Sequence, residues 1–133
     1  MRRSLYWTVI FLATSVATAS AQKGAAGTWN GKTMMGPKDS VVATYTLTIN
    51  ADGKTASMKF ANRDAIPARV VAMGGDSVVT EMGPYASVLR AGETVNLLRT
   101  VAHVKGDMMT GTFEGRYAKG DVLKGKTSAT RAK

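Results

Sequence analysis

The chain has no cysteine and one histidine, His103. Without thiols it carries no disulfide, so its stability in an oxidising compartment must come from packing. Thiolate nucleophiles and cysteine metal sites are excluded with them. A transition-metal centre would need carboxylates around His103, and no Asp/Glu cluster has ligand spacing there. His103 reads as a polar side chain at a strand end beside the Gly106 turn, with a lone general base or a polar pocket group as the alternative. No nucleophile–base pair, paired carboxylates or phosphate loop is legible, so no catalytic residue, no metal ligand and no cofactor is assigned. Acidic residues are scarce, nine against eighteen Lys and Arg, for a formal charge of +9. No apolar run reaches the roughly 20 residues of a membrane-spanning helix.

The N-terminus holds a different pattern. Arg2 and Arg3 precede the mainly apolar Leu5 to Ala13, and Ala19-Ser20-Ala21 follows. A positive start, a short apolar core and small residues describe a secretory signal peptide over residues 1–21, cleaved before Gln22. A secreted or periplasmic location is therefore expected, with residues 22–133 forming a single domain. Cleavage would remove Arg2 and Arg3 and lower the charge from +9 to +7. Most of the excess lies at the C-terminus, where Arg116, Lys119, Lys124, Lys126, Arg131 and Lys133 face only Asp121. That hairpin biases the protein toward an anionic surface or polymer. Interleaved aromatics, which would point to nucleic acid, are absent from it.

What fills the rest is alternation. Val41, Ala43, Tyr45, Leu47 and Ile49 interleave with Val42, Thr44, Thr46, Thr48 and Asn50. This period of two belongs to an antiparallel strand buried on one face. Further strands are expected at Trp29–Met35, Ala56–Phe60, Arg69–Met73, Ser77–Met82, Thr94–Val104, Asp107–Tyr117 and Val122–Arg131. Gly75-Asp76, Gly92-Glu93, Gly106-Asp107 and Gly120-Asp121 punctuate them as tight turns. Tyr85–Arg90 fits either an extended segment or one helical turn, the extended form being preferred. About eight short strands without a convincing helix describe an antiparallel up-and-down meander that closes into a barrel and so removes its edges, with a two-sheet sandwich as the alternative.

Gly27-Thr28-Trp29 on the first strand resembles the Gly-x-Trp signature of lipocalins and related calycin barrels. The resemblance implies a lipocalin-like barrel whose base is closed by Trp29 packed against Arg131 near the end of the last strand. It also implies a secreted or periplasmic carrier of a small apolar or amphipathic ligand. Met109-Thr110-Gly111-Thr112-Phe113 is similar to the Thr-Gly-Thr-aromatic strands of avidins. Their biotin pocket needs several tryptophans, and Trp29 is the only one left after cleavage.

The expected ligand-binding residues are Tyr45, Met58, Leu97, Arg99, Phe113 and Tyr117. Val95, Leu97, Arg99, Val101 and His103 share one parity. If that face is interior, Arg99 needs a partner, which a ligand anion, Glu81 or Glu114 would supply. The opposite parity is also half apolar, so the facing stays open. Gly111 and Gly115 share the face of Phe113 and either leave room inside or mark bends and close approaches. The alternative function is a non-catalytic envelope or interaction protein with a filled barrel, using the basic C-terminal hairpin.

Overall fold

A computed structural model describes residues 24–133. The leader-like segment and its cleavage point lie outside the described residues. Nine strands follow one another: β1 (Gly27–Met35), β2 (Ser40–Ile49), β3 (Thr55–Phe60), β4 (Ile66–Gly74), β5 (Ser77–Met82), β6 (Tyr85–Ala86), β7 (Thr94–Lys105), β8 (Met108–Tyr117) and β9 (Val122–Arg131). Every pairing is antiparallel, in the order β5-β4-β3-β2-β1-β9-β8-β7-β6, and β5 also pairs with β7. That last pairing closes eight strands into a barrel and excludes the sandwich. Closure satisfies the backbone donors and acceptors that an open sheet leaves at its edges. No helix among the described residues is long and apolar enough to cross a membrane.

The β1–β9 ladder sets Trp29 opposite Arg131 and Asn30 opposite Thr130. The alternation in the sequence becomes the two faces of the wall. Tyr45, Leu47 and Ile49 are buried, and they meet Trp29, Met58, Val78, Ala102, Met109 and Ala129 in one core. Their threonine neighbours face outward. An up-and-down path gives the barrel two ends. The floor holds the N-terminal lead, the Asn50–Lys54, Gly75-Asp76 and Gly106-Asp107 turns, and the C-terminus. The mouth holds the Gly36–Asp39 and Ala118–Asp121 turns and the loops 61–65 and 83–93.

The β1–β2 ladder skips Val42, which leaves Val41 exposed and off the buried face of Tyr45, Leu47 and Ile49, and the β4–β5 ladder skips Val71. Two further irregularities correct the expected pattern. The ladder between β7 and β8 slips between Val95 and Leu97. One extra residue at such a bulge reverses the facing of all that follows. Val95 is buried, while Leu98, Thr100, Ala102 and Val104 point inward after the slip and Arg99, Val101 and His103 point out. The strand therefore has no single parity. The second correction concerns residues 85–90, where only Tyr85 and Ala86 are extended, paired with Val95 and Thr94. Ser87 then turns the chain by accepting hydrogen bonds from the Leu89 and Arg90 N–H groups.

Candidate functional site

The floor is built from both ends of the described chain. Trp29 is fully buried, and its indole N–H donates to the Ala25 carbonyl at 2.9 Å. The Arg131 guanidinium lies over the indole, 4.3 Å from the ring centre. Its remaining donors reach the Ala26 carbonyl at 2.7 Å, the Gly24 carbonyl at 2.8 Å and Asp107 at 3.2 Å. The stacking is worth about 0.5–2 kcal/mol. The larger consequence is geometric, because a planar fork with fixed donors holds the lead across the barrel base. The expected Trp29–Arg131 closure is present.

The mouth is different. Packing stops short there and leaves a cavity of about 50 Å³, lined mostly by apolar atoms. Tyr45, Phe60, Phe113 and Tyr117 wall it from the strands, and Tyr85, Val88 and Leu89 cover it from the 83–93 loop. Phe60 and Tyr85 stack with ring centres 6.0 Å apart. Arg63 fastens the loop by donating to the Ala86 carbonyl at 2.6 Å and the Ser87 carbonyl at 2.9 Å. Arg90 fastens its far side, over the Tyr117 ring at 4.6 Å and against Asp121 at 3.0 Å.

Four hydroxyls around the cavity bond in pairs. Ser87 and Tyr117 pair at 3.0 Å, and Tyr45 pairs with Thr127. Among the described residues no buried side-chain nitrogen or oxygen lacks a partner. Burial raises the Tyr45 phenol above its ordinary value, and the Thr127 hydrogen bond opposes that shift. Burial likewise raises Tyr85, assisted by Tyr117 and opposed by the Arg63 charge. Both phenols are therefore neutral over the physiological range. The lining of the cavity is mostly apolar and aromatic, with the hydroxyls of Tyr85 and Thr100 also at its wall. No group of three or more His, Cys, Asp or Glu among the described residues is placed to hold a metal.

Four of the expected ligand-binding residues, Tyr45, Met58, Phe113 and Tyr117, line this cavity. Leu97 and Arg99 do not. The β7 bulge turns both outward, Leu97 half-buried and Arg99 exposed, and Glu81 approaches the Arg99 guanidinium at 3.7 Å. Glu81 also binds Arg69 at 3.1 Å. His103 is likewise outside, 3.1 Å from the Ser77 hydroxyl. Phe60, Tyr85, Ser87, Leu123 and Thr127 line the cavity as well, beyond the residues expected there. Leu123 and Thr127 had a usable signal, since they occupy the parity opposite to the lysines of the last strand. Ser87 had none, because its role depends on a loop folding back over the barrel.

The basic C-terminal hairpin is partly neutralised. Lys124 and Arg116 flank Glu114 at 3.8 and 3.4 Å, and Lys126 meets Asp39 at 3.2 Å.

Searches of known protein families, curated proteins and solved structures find no match to this chain.

Proposed function

We propose that this protein is a lipocalin-like binding barrel of the secreted or periplasmic space, acting by binding and not by catalysis. It takes one end of a small apolar or amphipathic molecule at its mouth. The observation that carries this reading is the apolar cavity under the 83–93 loop, at the end of the barrel opposite the Trp29–Arg131 closure. The Gly27-x-Trp29 and Arg131 arrangement supports the family part of the reading. The leader-like N-terminus supports the compartment.

The cavity also limits the ligand. A volume of about 50 Å³ is far below the ~300–1,000 Å³ of sites that enclose a drug-sized molecule. A ring edge or chain end enters, and the rest of the molecule lies over the rim. Exposed Val41, Leu89 and Val122 belong to mouth-end segments and offer it apolar contact.

Trp29 is too deep to report on the mouth, so the test uses backbone amide shifts. Titration with indole should give saturable shifts at Phe113, Gly115 and Leu123 while the floor residues stay still. Gly115→Leu should remove them, because a Cβ at Gly115 meets only Leu98 and Leu123 at 3.7 and 3.9 Å and a longer side chain projects into the cavity. No saturable shift at the mouth, or equal shifts in Gly115→Leu, would sink the reading.

A further inference from the structure

The outer wall of the barrel is not uniform. Around β4, β5, β7, β8 and the start of β9 its charges form a chain of opposites. Arg69 and Arg99 share Glu81, while Arg116 and Lys124 share Glu114. Across β3, β2, β1, β9 and β8 the wall changes character. The ladders place Lys59, Thr46, Asn30, Thr130 and Met108 in one continuous row. Thr44, Lys32, Ser128 and Thr110 form the neighbouring row. Short hydroxyl and amide side chains make the bed, and long Lys59 and Met108 end the first row.

The result is an open groove of about 640 Å³ lined by both lysines, Asn30, Thr44, Thr46, Ser128 and Thr130. None of the nine Asp and Glu residues lines it. Among the described residues neither Lys32 nor Lys59 makes an ion pair. Strand geometry puts their α-carbons of order 12 Å apart, two strands across and two residues along. Two free ammonium groups flanking a lattice of hydroxyls and one amide match a ligand carrying spaced carboxylates and many hydroxyls.

From this juxtaposition we infer that the β3–β2–β1–β9 wall is a binding groove for an acidic polysaccharide, with carboxylates on Lys32 and Lys59 and sugar hydroxyls on the Thr46–Asn30–Thr130 row. A lipid surface needs apolar anchors, and the groove offers only Met108. Single-stranded nucleic acid needs exposed aromatic rings for stacking, and the two aromatics behind the groove, Tyr45 and Phe60, are buried. The groove is on the opposite side of the wall from the mouth cavity and does not depend on it.

The test is a set of amide-shift titrations of the protein with a galacturonic acid hexamer, a neutral glucose hexamer, short-chain polyphosphate and anionic phospholipid vesicles. The acidic hexamer should give saturable shifts centred on Asn30, Lys32, Thr46, Lys59 and Thr130, and the neutral hexamer should give none. Lys32→Gln with Lys59→Gln should weaken the acidic hexamer at least tenfold, while Lys124→Gln with Lys126→Gln should change it less than twofold. Thr46→Val with Thr130→Val keeps strand-forming residues in place and should weaken the hexamer several-fold with polyphosphate unchanged. The inference is overturned if the shifts map elsewhere, if the threonine substitutions have no effect, or if polyphosphate or vesicles occupy the groove more tightly than the acidic hexamer.

Discussion

Both ends of the barrel use a guanidinium laid on an aromatic ring, and they use it for opposite purposes. At the floor Arg131 covers Trp29, whose ring is core. Its other donors go mainly to backbone carbonyls of the N-terminal lead, which brings that strand of chain under the barrel. At the mouth Arg90 covers Tyr117, whose ring is the wall of a cavity and whose hydroxyl bonds Ser87. The donors of Arg90 go to the exposed side chain of Asp121 and to Glu93. A stacked arginine that ties backbone to core closes a barrel end. One that ties a loop to surface carboxylates leaves an end with unfilled space beneath it.

The largest expected effect separates the two arginines. Arg131→Ala removes the stacking, worth about 0.5–2 kcal/mol, and charge-assisted bonds to the partly buried Ala26 carbonyl and the exposed Gly24 carbonyl, worth at most about 1.5–3 kcal/mol each before compensation by water. A loss of about 2–3 kcal/mol is expected, a large share of the ~5–15 kcal/mol typical of a domain. Arg131→Lys should recover less than half, since an ammonium does not reproduce the fork. Arg90→Ala loses stacking on Tyr117 worth ~0.5–1 kcal/mol at an exposed site and exposed ion pairs worth ~0–1 kcal/mol, so it should cost about 1 kcal/mol, less than Arg131→Ala. Urea denaturation of the three variants checks this. Equal losses at the two ends would erase the distinction.

A smaller and more local effect is expected at Ser87. Its buried hydroxyl accepts from the Leu89 and Arg90 N–H groups and pairs with Tyr117. Ser87→Ala leaves those partners to find water, at about 1 kcal/mol net. The cost should fall on the loop and not on the barrel. Hydrogen exchange should therefore accelerate across 87–93, while amides around Trp29 keep wild-type protection. Acceleration at both ends would mean that loop and floor unfold as one unit.

The sequence carried the barrel well because a one-sided wall imposes a period of two. Ala43 to Asn50 shows it without a break, and the turn glycines bound the strands. Trp29 and Arg131 were legible together, since the first and last strands of a closed meander must be neighbours. β7 was not legible in the same way. Both parities of Val95 to Val104 are half apolar, and the bulge that selects between them leaves no distinctive residue at Asn96. It is this bulge that turns Arg99 and Leu97 outward. Gly111 illustrates a related ambiguity: a Cβ there would strike the Val101 carbonyl oxygen and the Ala102 backbone. It marks a close strand approach and not space for a ligand. That distinction belongs to the neighbouring strand and cannot be read from the glycine itself.

Gly115, four residues on, is the opposite case and gives the smallest expected effect. It faces the mouth cavity, and an added Cβ meets only ordinary contacts with Leu98 and Leu123. Its backbone is not in the left-handed region, so alanine is accommodated without strain. Replacing a strand glycine restricts the unfolded chain, worth about 0.5–1 kcal/mol, and the new methyl gains about 0.8 kcal/mol if fully buried. Gly115→Ala should therefore raise stability by about 0.5–1 kcal/mol, seen as a higher urea midpoint with an unchanged slope. It should also weaken indole binding at the mouth, because the methyl occupies part of the same void. A destabilised Gly115→Ala would mean that the cavity is already closed by packing, and the contrast between a filled floor and an unfilled mouth would not hold.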